Sequence, residues 1–191
     1  MPQTLPDRLT VKRLGAENLI GKGGLTLKSA AFRDGEALDP CFTADEEDAV
    51  APPLEWTAPP PGSQEMVLVV EDADSDGTDP RCHWLVWGLK PQKGQLLEGE
   101  VPPRAGKNAQ GNSEWLLPDL PEGGDPHEFV FQLFALDLPL TLMPGATQAE
   151  LMKQMEGHVT AAALLSATYA SEGGAGGDLD ESGDFGEESW D

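Results

Sequence analysis

The stretch Met66–Leu89, MVLVVEDADSDGTDPRCHWLVWGL, reads as strand, acidic turn, strand. Met66 to Val70 is a short continuous apolar run rich in β-branched residues, the signature of a strand buried on both faces. Glu71 to Gly77 breaks it with turn formers. Trp84 to Trp87 is a second apolar run. Between the runs lie several carboxylates, Cys82 and His83, at the end of two strands expected to pair. A loop held by such a scaffold is where binding and catalytic groups concentrate. The alternative is an acidic, solvated loop with an incidental histidine.

Outward from this stretch, 191 residues with 39% hydrophobic and 24% charged content suit one globular domain with a real core. The 22 Gly and 17 Pro predict many loops and few helices. A net charge of −22 argues against nucleic acid, anionic membranes and other polyanions as broad partners. The charge is uneven. Met1 to Arg33 holds six basic residues against Asp7 and Glu17, whereas Asp34 to Pro80 holds 14 acids and no Lys or Arg. A contact between the two regions is one reading; a solvated acidic face is the one favoured. Two cysteines, Cys41 and Cys82, no visible secretory leader and no apolar run near the ~20 residues of a membrane span predict a cytosolic protein with free thiols.

Along the chain, Leu9-Thr10-Val11 is read as a possible strand. Gly21-Lys22-Gly23-Gly24 is a flexible break and not a phosphate-binding Walker loop, since it lacks the preceding Gly and the Ser/Thr after Lys. Leu25 to Ser29 alternates as a strand does. In Ala51-Pro52-Pro53-Leu54-Glu55-Trp56 the prolines fix an extended path and argue against a central strand, while Leu54 and Trp56 share a face. Lys90 to Asp125 is a long loop-rich span. Phe129 to Asp137 is the strongest strand signal and reads as central. Thr147 with Glu150 forms a capping box for a helix presenting Leu151, Met152 and Met155 on one face, ended by Gly157. Val159 to Tyr169 suits helix or strand. From Ser171 the composition becomes Gly, Asp, Glu and Ser, with eight acids and no base over Glu172 to Asp191, which predicts a disordered acidic tail. Within it, Phe185 and Trp190 are the only aromatic groups.

In order, several motifs resemble the phosphatidylethanolamine-binding proteins, also called Raf kinase inhibitor-like proteins, in their bacterial branch. They are Leu25-Thr-Leu-Lys-Ser-Ala-Ala-Phe32, Ala51-Pro-Pro-Leu-Glu-Trp56, Glu71-Asp-Ala-Asp-Ser75 and His83-Trp84-Leu-Val-Trp87. Pro126-His127-Glu128-Phe129 to Asp137, Gly145 to Leu151 and Glu156-Gly-His-Val159 complete the set. The resemblance implies a mainly β fold: a large central antiparallel sheet packed on a smaller sheet, with a few peripheral helices. It implies an N-terminal extension over 1–24, a domain over 25–170 and the tail over 171–191. It also implies a small anion pocket built from Asp72, His83 and His127, with Asp74, Trp84 and Phe129 nearby and Gly106 to Pro121 as one wall. The chain departs from the family pattern at Ala73, Asp76, Leu116-Leu117, Glu128 and Phe129, which leaves fewer hydrogen-bond donors and more negative charge.

Two imidazoles and a carboxylate bind an oxyanion when the rings donate, and protonation switches that on. An ionised Asp72 beside phosphate favours a ligand that also carries a cation, for which Asp74 is the candidate partner. The expectation is therefore a non-enzymatic binder of a small phosphate-bearing or zwitterionic ligand, with no cofactor and no metal. Cys82 as a nucleophile is disfavoured because neighbours on a strand face opposite ways, so Cys82 and His83 do not share a pocket. A zinc site from Asp72, His83 and His127 lacks any short-range spacing signature. His158 reads as structural. A kinase- or protease-inhibitor module acting through the acidic surface is the competing class, and the resemblance also admits a homodimer.

Overall fold

The computed structural model describes residues 4–171. The chain is mainly β, in two antiparallel sheets with few helices. Strands β3 (Glu65–Asp72), β4 (Arg81–Leu89), β6 (His127–Leu136) and β7 (Val159–Tyr169) form a four-stranded sheet in the order β4-β3-β6-β7. Strands β1 (Leu27–Lys28), β2 (Leu54–Trp56) and β5 (Gly94–Leu96) form a smaller sheet in the order β1-β2-β5.

The apolar runs become the central strands because both faces of the large sheet are covered. Every residue of β3 is buried. One face, with Leu68, Val70, Phe129, Phe131 and Leu133, packs on Leu27, Leu54, Trp56 and Leu96 of the small sheet. The other, with Val67, Val69, Leu85, Val130 and Phe134, packs on Leu9, Val11, Leu151 and Met155 of the helical layer. That layer comprises α1 (Thr10–Arg13) and α2 (Gln148–Met155), and the capping box of Thr147 and Glu150 opens α2. Val159–Tyr169 resolves as strand, pairing along the whole of β6. Its alanines suit the tight space between sheet layers.

Three expectations need correction. Leu9–Val11 is no strand: Thr10–Arg13 is a helical turn, and the Thr10 and Val11 amides bond to side chains of the sheet instead of to a neighbouring strand. The prolines before Leu54 do not keep β2 at an edge; they precede the strand, so β2 keeps its donors and sits between β1 and β5. The acidic stretch is not only a solvated face, because Arg8 and Arg13 reach its backbone and Asp79. The acidic tail with Phe185 and Trp190 lies outside the described residues.

Both edges of the large sheet are covered by loops. Along β4, the amides of Gly106, Ala109 and Leu116 donate to Leu85, Cys82 and His83 carbonyls, so the 104–116 segment runs beside the strand. Gly106 is required there: a Cβ would stand 2.5 Å from Leu85 and 2.6 Å from the Ala146 carbonyl. Along β7, the amides of Gly21, Gly35 and Leu38 donate to Ala162, Ser166 and Thr168 carbonyls at 2.8 Å.

Candidate functional site

At the β3–β4 end of the large sheet, a cavity of about 370 Å³ is lined by Asp72, Asp76, Arg81, His83, His127 and Phe129. Asp72 is the last residue of β3, His127 the first of β6, and Phe129 pairs directly with Asp72. Leu116, Leu117, Asp119 and Leu120 close one side, within the loop wall expected from sequence.

His83 reaches the cavity through a break in strand pairing. Val70 faces Trp84 and Glu71 faces Cys82, so His83 is the extra residue of a bulge. Bulges re-aim side chains at sites of this kind. Cys82 joins the core on the helical face, while His83 stands edge-on to Phe129 at 4.9 Å on the small-sheet side. Burial, with Glu71 nearby, pushes the Cys82 thiol up to about 12, so it has almost no thiolate near neutral pH. Cys82 and His83 are thus separated, as strand alternation predicts.

The carboxylate of Asp72 is fully engaged. Its Oδ1 accepts the Asp74 amide at 3.0 Å and its Oδ2 pairs with His127 Nδ1 at 2.7 Å. Nδ1 of His83 lies 2.7 Å from the Leu116 carbonyl, which can only accept, so Nδ1 carries the proton. The same reasoning gives the His127 proton to Nδ1. Each neutral ring therefore keeps its lone pair on Nε2, and His83 Nε2 is buried with no partner among the described residues. Burial holds the His83 pKa below its ordinary value, against the pull of the Leu116 carbonyl and Asp72.

Two expected neighbours stand apart. Asp74 is exposed and its Oδ2 accepts the Glu128 amide at 2.7 Å, so it braces the turn against β6 and does not line the cavity. Trp84 packs edge-on to Trp115 and lines an adjacent cavity of about 560 Å³. Among the lining residues, Arg81 has no counterpart in the sequence reading. Arg81 follows a 47-residue span free of Lys and Arg and lies two residues from His83, which was its signal. Asp76 stands where the motif departs and adds negative charge, and Asp119 lies in the expected loop wall.

Behind the site lies a buried polar network on the helical face. Glu71, Gln132 and Thr10 are each 0% exposed. Glu71 Oε1 accepts from the Thr10 amide and Gln132 Nε2 at 2.7 Å, and its Oε2 accepts from Gln148 Nε2 at 3.0 Å. Gln132 Oε1 accepts the Val11 amide at 2.9 Å. Elsewhere, His158 pairs with Asp137 at 2.9 Å at the surface. Among the described residues, no three His, Cys, Asp or Glu side chains group as a metal site, and no helix is long and apolar enough to cross a membrane.

Comparison with known proteins places this arrangement. Residues 28–170 match the sequence profile of the phosphatidylethanolamine-binding protein family. An archaeal UPF0098 protein from Methanothermobacter thermautotrophicus is 32% identical over 155 residues, covering 76% of this chain and 98% of its own. A relative from Mycobacterium tuberculosis, named as a candidate lipoprotein, LppC, is 33% identical and covers 76% of this chain and 72% of its own. The crystal structure of CT736 from Chlamydia trachomatis, a homologue of phosphatidylethanolamine-binding proteins, is 29% identical. It superimposes with a TM-score of 0.72 over 78% of this chain and 98% of its own. Escherichia coli YbcL, at 19% identity and a TM-score of 0.70, covering 78% of this chain and 99% of its own, shares the fold. Relatives thus come from archaea as well as bacteria.

Proposed function

Because the chain belongs to the phosphatidylethanolamine-binding protein family, we propose that its Asp72–His83–His127 cavity binds a small phosphate-bearing, preferably zwitterionic, ligand without transforming it. The observation that carries this is the shared tautomer of the two histidines. Both Nδ1 atoms are engaged inside the protein, which leaves both Nε2 atoms for a ligand. In the neutral state these accept, and suit a protonated phosphate oxygen or an ammonium. On protonation each becomes a charge-assisted donor to phosphate. Asp72 repels the anion less than its bare charge suggests, since both its oxygens already accept bonds. Arg81 supplies a fixed positive charge at the cavity, and Asp76 and Asp119 replace Asp74 as acids for a ligand cation.

Cys82 is no nucleophile for the histidines, because it lies on the other face with its thiol protonated, and the hydroxyl of Ser75, which lines the cavity, is engaged by the Asp72 carbonyl and the Arg81 amide and by neither ring. The reading is therefore a binding protein. Two unpaired thiols suit a reducing compartment, and on that ground the cytosol is the proposed location.

The test is an NMR titration of the His83 and His127 ring protons with phosphate and with phosphoethanolamine, at about pH 6 and about pH 8, on either side of the usual imidazole range. Both rings should respond, more strongly at the lower pH, and lose the response in Asp72→Ala. Silence at millimolar ligand rejects the reading. The exposed run Asp45 to Asp48 favours a second role, contact with a basic protein partner. Neutralising that run should then abolish partner binding while His127→Ala leaves it intact.

A further inference from the structure

The turn that carries Asp72 is held from behind by a residue outside the family match. Arg8 Nη1 donates to the Gly77 carbonyl at 2.7 Å, and its Nη2 donates to the Ala73 and Ser75 carbonyls at 2.9 Å. The same segment sends the Thr10 amide to Glu71 and sets Arg13 3.8 Å from Asp79. Residues 8–13 thus form a strap across the β3–β4 turn, and they precede the matched residues 28–170.

Arg81 is the turn's own cation and lines the cavity, so a cation for the carbonyls of residues 73, 75 and 77 comes from elsewhere. Asp72, Asp74, Asp76 and Asp79 crowd the turn, and the sequence offers no Lys or Arg between Asp34 and Pro80. The spacing Asp72-x-Asp74-x-Asp76-Gly77 is that of a calcium loop, in which carboxylates turn inward on one ion. Here they do not. Asp72 serves His127, Asp74 serves the Glu128 amide, and Asp76 faces the ligand cavity. What converges instead is the set of alternate carbonyls of residues 73, 75 and 77, and the guanidinium of Arg8 is the cation they meet. A planar fork with several N–H donors suits three acceptors, where a lysine offers a single point charge.

We propose that Arg8 is a positioning residue for the ligand site. By fixing the 73, 75 and 77 carbonyls it holds the turn where the Asp74 amide closes on Asp72 Oδ1 and Asp72 Oδ2 meets His127 Nδ1. The Ser75 hydroxyl extends the same hold, donating to the Asp72 carbonyl at 3.0 Å and accepting the Arg81 amide at 2.8 Å. Without the guanidinium, the carbonyls and the four carboxylates repel one another. The turn opens, and His127 loses its carboxylate. This rests on the cavity being a phosphate site.

The experiment compares the full chain with Arg8→Ala, Arg8→Lys and Arg33→Ala, the last removing an exposed charge far from the turn. Two readouts are taken: the affinity for inorganic phosphate, and the hydrogen-bonded Nδ1–H resonance of His127 without ligand. Arg8→Ala should bind phosphate about tenfold more weakly, the loss of a set of charge-assisted hydrogen bonds. It should also lose the His127 resonance, and millimolar guanidinium should restore both. Arg8→Lys should fall between, and Arg33→Ala should match the parent chain. A parent chain that ignores phosphate rejects the ligand reading, while the His127 resonance still tests the strap. Arg8→Ala with the parent's affinity and resonance overturns the proposal. If Arg8→Ala does not fold, an Arg8→Lys that keeps the parent's affinity and resonance overturns it equally.

Discussion

Replacing Glu71 by alanine should cost about 2–5 kcal/mol of folding stability, the penalty for leaving its buried neutral donors unsatisfied. The site is fully buried, and three donors meet its carboxylate: the Thr10 amide, Gln132 Nε2 and Gln148 Nε2. Each hydrogen bond to a charged group contributes about 1.5–3 kcal/mol. Desolvation of the carboxylate offsets part of that, but the variant strands two buried donors, the Thr10 amide and Gln132 Nε2, at about 1–3 kcal/mol each, while Gln148 Nε2 keeps Thr10 Oγ1. Only the relief of desolvation and local collapse work in the other direction. Since whole domains carry about 5–15 kcal/mol, the loss is a large share of the total. Glu71→Gln keeps the shape but turns an amide donor toward one of the three donors, and should cost about 1–3 kcal/mol. The assay is equilibrium urea unfolding followed by fluorescence, since Trp84 and Trp87 are buried. A loss below about 1 kcal/mol for Glu71→Ala would show that the network adds little beyond satisfying itself.

Three further outcomes follow from the same structure. Because burial lowers the His83 pKa, the unfolded chain binds the proton more readily. The contribution of His83 is complete above its unfolded value of about 6.5 and is lost as pH falls through it, down to the folded value. His83→Phe should flatten that part of the stability–pH profile measured by urea midpoints; an unchanged slope contradicts the assignment. The thiols of Cys41 and Cys82, pushed up to about 11 and about 12, should resist alkylation near neutral pH in the folded protein, and equal rates for folded and unfolded chains would refute this. Gly106→Ala, with Leu85, Trp87 and the Ala146 carbonyl inside 3 Å of the new methyl, should destabilise by about 1–3 kcal/mol or more. A thermal midpoint equal to the parent's would show that the 104–116 segment yields freely.

The large sheet was legible where apolar residues run unbroken, as in β3 and β6, since burial on both faces leaves no polar alternation to confuse. It was illegible in β7, whose Ala and Leu pattern fits helix and strand alike until β6 pairs with it. Asp72, His83 and His127 were found through motifs and do converge on one cavity. Asp74 and Trp84 were placed near it by the same resemblance and stand beside the cavity without lining it. β3 ends at Asp72, so the two-residue rhythm no longer holds at Asp74, and the bulge puts Trp84 on the same face as His83 but one position further along it, beside Trp115. The Glu71 network and the Arg8 strap join residues 61 or more positions apart, and no local pattern announces such partners.

The cover over β7 also bears on how the chain is made. β7 is the last strand among the described residues, and an 11-residue strand with a bare edge invites pairing with a stranger. Its partners, the residues around Gly21, Gly35 and Leu38, leave the ribosome more than a hundred residues earlier. The shield is therefore already synthesised when the strand emerges, and the vulnerable interval belongs to β6, whose outer edge waits for β7. Ribosome-bound chains halted before Val159 should be the aggregation-prone ones, and those extended past Tyr169 should not.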